Sequence, residues 1–103
     1  MRGSSIALGP GKVALLEAIA RTGALAEAAR SLSMSYKRAW DLVETMNAEF
    51  RDPLVVTKVG GAGGGGATLT DTGAKALRLY LSMKQKSERA IAGDARRLER
   101  LLR

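Results

Sequence analysis

Between Ser33 and Asp41 the chain reads Ser33-Met34-Ser35-Tyr36-Lys37-Arg38-Ala39-Trp40-Asp41, a run in which most side chains can make directed polar contacts. Lys37 and Arg38 suit phosphate oxygens or the acceptor edge of guanine. Ser33, Ser35 and Tyr36 carry hydroxyls for base edges or phosphates, and Trp40 and Asp41 complete the same polar side. This is the chemistry of recognition rather than of bond making. The sequence contains no histidine and no cysteine, which removes the commonest general base, the thiolate nucleophile and the commonest metal ligands. No paired-acid or nucleophile motif takes their place, so no enzyme activity, cofactor or metal is expected.

A second cluster is glycine-rich: six glycines in the seven residues from Gly60 to Gly66. Gly61, Gly63 and Gly66 formally satisfy the dinucleotide fingerprint G-x-G-x-x-G. The match is rejected, because a β-branched segment follows where a helix is required and no βαβ unit exists. A phosphate-binding P-loop fails as well, for want of G-K-[ST]. The preferred reading is a hairpin tip in which Gly61, Gly63 and Gly64 allow close approach to a sugar-phosphate backbone, with Lys58 at its base as a phosphate contact. The plainer alternative is a flexible turn.

The elements that must position these residues follow from apolar spacing. Ile6 to Leu8 is a short apolar run suited to an edge strand, followed by the breaker Gly9-Pro10-Gly11. Val13, Leu16, Ile19 and Ala20 predict a first helix from Lys12, closed by Thr22-Gly23. Ala24 to Leu32 is a short second helix whose Ala28 and Ala29 permit a close helix crossing. After the turn Ser33-Met34-Ser35, with Ser35 as N-cap, a third helix runs from Tyr36 to Phe50. Its inward stripe is Ala39, Leu42, Val43, Met46 and Phe50. A competing reading packs Tyr36 on Trp40, at i and i+4, as part of an ordinary three-helix core.

Asp52-Pro53 ends that helix. Leu54 to Val59 and Ala67 to Leu69 are the strands of the glycine-tipped hairpin. Thr70 caps a last helix reaching toward Arg103, with Asp71 at its positive dipole end. The fold class is therefore mainly α with a small β-hairpin, a winged helix-turn-helix over residues 1–69 followed by a long helix over 70–103. A last helix of about thirty residues would run about 45 Å, too long for so small a domain to cover. Its broken stripe of Leu77, Tyr80, Leu81, Ile91, Ala95, Leu98 and Leu102, interrupted by Lys84, is expected to meet a second copy of the chain in a homodimer.

The bulk numbers agree with a polyanionic partner. Seventeen lysines and arginines face ten acidic residues, a net charge of +7, in a length suited to one domain. No apolar run approaches a bilayer span, and the polar start is no signal peptide. The expected location is the cytoplasm, at the nucleoid, with no membrane partner.

One resemblance sharpens these expectations. From Lys12 to Tyr80 the chain resembles the N-terminal DNA-binding domain of molybdate-responsive regulators of the ModE type, distant relatives of the LysR regulators. The matching residues are Leu15 to Ala20, Thr22-Gly23, Ala28-Ala29, Met34 to Trp40, Met46-Asn47, Pro53-Leu54-Val55, Gly60-Gly61, Gly63 to Ala67, Leu69-Thr70 and Gly73. The S-Y-K-x-A-W run and the G-G-G-A-x-L-T ending of the glycine stretch are specific to that branch. The resemblance implies a homodimeric regulator that places the helix after Ser35 in the major groove of double-stranded DNA, with the wing on the backbone. It also implies that the family's molybdate-binding C-terminal region is missing after Arg103, so molybdate sensing is not carried over. The alternatives from other classes are a non-specific architectural nucleic-acid-binding protein and a protein-interaction module.

Overall fold

The structure, a computed structural model, describes residues 8–58 and 65–103. Helix α1 spans Pro10–Thr22, α2 Leu25–Ser31 and α3 Tyr36–Glu49. The short strands β1, Val55–Thr57, and β2, Ala67–Leu69, precede the long helix α4, Asp71–Glu99. This is a winged helix-turn-helix. The strands pair antiparallel, Val55 opposite Leu69 and Thr57 opposite Ala67.

The expected breaker at Gly9-Pro10-Gly11 instead starts a helix. Pro10 occupies the first turn of α1, where its missing N–H has no partner to lose and its fixed φ is already helical. Of the expected edge strand only Leu8 is described; it is buried against the core, and Ile6 lies outside the described residues. α1 ends as its sequence foretells: Gly23 adopts φ +73° and donates its N–H to the Ile19 carbonyl at 2.8 Å, a left-handed cap that favours glycine. The buried side of α1 is broader than the expected stripe. Leu15 and Ala18 are fully buried, whereas Ala20 is exposed, because the helix packs against α2 on one flank and the rest of the core on the other.

Ala28 and Ala29 are buried between the helices, as close crossing requires. α2 then closes on a hydrogen-bonded cap: Ser33 N–H meets the Arg30 carbonyl at 3.1 Å, and Met34 N–H meets the Ala29 carbonyl at 3.0 Å. This paired arrangement demands a left-handed residue between helix and turn. That residue is Ser33, at φ +56°. A serine there pays about 1–2 kcal/mol that glycine does not, partly offset by glycine's greater loss of backbone entropy. Ser33→Gly should therefore raise the unfolding free energy by about 0.5–1 kcal/mol. An unchanged or lower urea midpoint would show that the turn gains more from the serine than its backbone costs.

Two polar side chains fasten the hairpin. Asn47 of α3 accepts the N–H groups of Leu54 and Val55 at 2.8 and 3.2 Å, and donates to the Val55 carbonyl at 3.0 Å. Thr70 accepts from Gly73 N–H at 2.9 Å as the cap of α4, and donates its hydroxyl to the Pro53 carbonyl at 2.7 Å. A backbone bond from Ala67 N–H to the Gly23 carbonyl, 2.9 Å, ties β2 to the end of α1.

α4 runs through Gly73 and Gly93 without a break, about 43 Å at 1.5 Å per residue. Ala76, Leu77 and Tyr80 pack against the chain's own core. Farther along, Leu81, Met83, Ile91 and Leu98 are exposed, on a molecule 57 Å in its longest dimension. The helix stops at Glu99, so Leu102, expected in the seam, lies beyond its end.

Candidate nucleic-acid interface

The exposed polar run is built on α3. Ser35 has an extended backbone and its hydroxyl accepts the Arg38 N–H at 3.1 Å, satisfying one of the orphan donors of the first turn. From that start, Ala39, Val43 and Met46 face inward and are buried. Leu42 is half-buried against the core, and the other side chains of the first two turns face out. Tyr36 is 55% exposed and Trp40 41%, which disfavours an ordinary core in which those two rings are enclosed. Lys37, Arg38 and Asp41 are exposed too.

Lys37 Nζ and Asp41 Oδ2 form an ion pair at 3.1 Å, one helical turn apart. With both ends this exposed, the pair contributes little to folding. Its effect is to hold a cation and an acceptor side by side on the outer face. Ser35, Lys37, Arg38, Asp41, Leu42 and Thr45 line one shallow, open hollow. Thr45 was not singled out by sequence reasoning; its hydroxyl donates to the Asp41 carbonyl at 2.9 Å. Its spacing of four from Asp41 and seven from Arg38 was the available signal.

Ser33 is exposed in the turn ahead of α3. Lys58 is exposed at the base of the wing, its N–H bonded to the Gly66 carbonyl at 2.8 Å. Gly61, Gly63 and Gly64, expected at the wing tip, lie outside the described residues. Of the seam residues, Lys84, Ile91 and Leu98 are exposed and Ala95 is half-buried.

The positive charge is unevenly placed. Nine of the seventeen basic residues, against four of the ten acidic ones, fall from Asp71 onward, so α4 and its tail carry +5 of the chain's +7. The helix-turn-helix and wing together are only mildly basic. Among the described residues no cluster of three metal-ligating side chains occurs, and no helix is long and apolar enough to cross a membrane.

Comparison with known proteins places this geometry. The molybdenum transport protein ModE of Azotobacter vinelandii is 40% identical over 92 residues, covering 89% of this chain and 34% of its own length. The molybdenum-pterin-binding protein MopB of Rhodobacter capsulatus is 48% identical over 73 residues, 71% of this chain and 27% of that protein. The DNA-binding transcriptional dual regulator ModE of Escherichia coli is 38% identical over 81 residues, 79% and 31% respectively. The chain thus spans about a third of the length of these relatives. Among solved structures, ArgP from Mycobacterium tuberculosis superposes with a TM-score of 0.60 at 21% identity, covering 86% of this chain and 31% of that one, a likeness of fold. Residues 11–74 match the model for bacterial regulatory helix-turn-helix proteins of the lysR family, well over half of the chain, and the protein belongs to that family.

Proposed function

We infer that this chain is the DNA-binding part of a transcriptional regulator that acts as a homodimer in the cytoplasm, at the nucleoid. α3 enters the major groove, Lys37, Arg38 and Lys58 hold phosphates or guanine acceptors, and Ser35, Tyr36 and Trp40 reach base edges. Ser33, Asp41 and the wing glycines Gly61, Gly63 and Gly64 border the same contact. The observation that carries this reading is the split of α3 into a buried side and an exposed polar side within its first two turns. The distal half of α4 is the dimer seam, so residues 1–69 serve recognition and 70–103 serve pairing. The names of two of these relatives refer to molybdenum, but the matched part is about a third of those proteins, and molybdate binding is not assigned to these residues.

The concentration of charge on α4 favours a second reading, a basic protein that binds duplex DNA without choosing sequence. Selection of bound duplexes from a random pool, followed by competition against random duplex, separates the two. Regulation requires a preference of about 10³ or more at moderate salt, and equal affinity supports the second reading. On the selected duplex, Arg38→Ala should cost about 1–3 kcal/mol and relax preference at one position. Unchanged binding by that variant would remove Arg38 from the interface.

A further inference from the structure

The side of α4 turned away from the core carries a long basic row. Lys75, Arg78, Ser82, Lys86, Arg89, Gly93, Arg96 and Arg100 recur at spacings of three and four, from the first turns of α4 to its C-cap. That spacing sets them in one line along the helix, about 38 Å long at 1.5 Å per residue. Ala76, Leu77 and Tyr80, which pack on the core, occupy the opposite side. The six cations of the row are all exposed, and among the described residues none of them has an ion-pair partner. Asp71 shares their line only ahead of the first cation, while Glu88, Asp94 and Glu99 lie off it; Asp94 pairs with Arg97 beside the row at 2.8 Å. Like charges three and four residues apart repel along a helix, and nothing in α4 relieves that repulsion.

The composition of the row selects its partner. Four of the six cations are arginines, whose planar fork matches phosphate oxygens. The row has no aromatic ring on which an unpaired base could stack, and no large apolar side chain to enter a bilayer surface. Ser82 and Gly93, its other members, are small enough to let a sugar-phosphate backbone come close.

We propose that this row is a second DNA surface, which binds the phosphates of a duplex without reading sequence and apart from α3. α4 rests on α1 and β2, whereas α3 rests chiefly on α2, so the two surfaces are built on different elements. The inference goes beyond the operator contact proposed for α3 and does not require it. With both surfaces in use, one molecule engages two stretches of duplex at once.

Anisotropy of a labelled random duplex, titrated with the full chain at rising salt, tests this. The row variant combines Arg78→Gln, Arg89→Gln, Arg96→Gln and Arg100→Gln, with glutamine chosen because it keeps the helix propensity; a thermal melt checks its fold. It should bind at least tenfold more weakly, and its slope of log affinity on log salt should be shallower by about 3, at about 0.9 per phosphate contact. Lysine at the same four positions keeps the charges and should hold the slope within about 1 of wild type. Lys37→Gln with Arg38→Gln, on α3, should retain the salt-dependent binding that the row supplies. Bound to an immobilised duplex, the wild type should capture a labelled second duplex, and the row variant should not. A row variant that binds and captures like wild type would overturn the proposal, as would loss of all random-duplex binding in the α3 variant. Row-dependent binding to phosphatidylglycerol vesicles with none to duplex would give the surface to a membrane instead. Failure of the α3 reading looks different: no duplex is enriched from a random pool, yet the row variant still loses its salt-dependent binding.

Discussion

Gly73→Ala should lower the unfolding free energy by about 3 kcal/mol, a large share of the 5–15 kcal/mol typical of a domain. The reason is a backbone crossing. A Cβ on Gly73 would run into the carbonyl oxygen of Leu54 and sit 2.9 Å from its carbonyl carbon. Leu54 cannot retreat, because it is fully buried and its carbonyl already accepts the Thr70 N–H at 2.9 Å. Moving α4 away instead would pull Thr70 off the Pro53 carbonyl and open the base of the wing. Alanine's better helix propensity returns only about 1 kcal/mol. Gly93→Ala is the control on the same helix, since nothing lies within 4 Å of its Cβ position; it should stabilise by about 0.5–1 kcal/mol. Thermal melts of the pair should diverge by about 15 °C or more. Two melts moving together would mean that the close approach at Leu54 is easily relieved.

Asn47→Ala should cost about 2–3 kcal/mol, because one amide satisfies the N–H groups of Leu54 and Val55 and the Val55 carbonyl, and both residues are buried. Asn47→Asp keeps the two accepted bonds but turns an oxygen toward the Val55 carbonyl, so it should not recover the full loss. The effect is local enough to see directly: the Leu54 and Val55 amides should exchange with solvent much faster in Asn47→Ala than in wild type. The same amide couples α3 to the hairpin, so on the proposed function operator affinity should fall even where the variant remains folded. Slow exchange at Leu54 and Val55 in the variant would show that water or another group replaces the amide.

The way these two residues read in sequence differs from the way they act. Gly73 stands in the sequence as a weak spot in a helix, and Asn47 as half of a matching dipeptide. Each is defined by a neighbour that comes close only once the hairpin folds back. Leu77 and Tyr80 show the same thing from the other side. Their spacing assigns them to a seam with a second chain, yet they pack against the core of their own, because the first turns of α4 lie on that core before the helix leaves it.

What the residue order determined alone is what depends on a few neighbours in the chain. The caps at Ser35 and Thr70, the left-handed stop at Gly23 and the inward stripe of α3 all rest on hydrogen bonds or spacings within about one or two turns. The exposed run from Tyr36 to Asp41 follows from that stripe, since a helix that buries Ala39, Val43 and Met46 must turn those side chains out. Tertiary structure decided which small residue lies at a backbone crossing, which amide holds the wing, and where α4 passes from core to solvent. These are contacts between segments, and a one-dimensional pattern carries the period of a helix but not the position of the surface it meets.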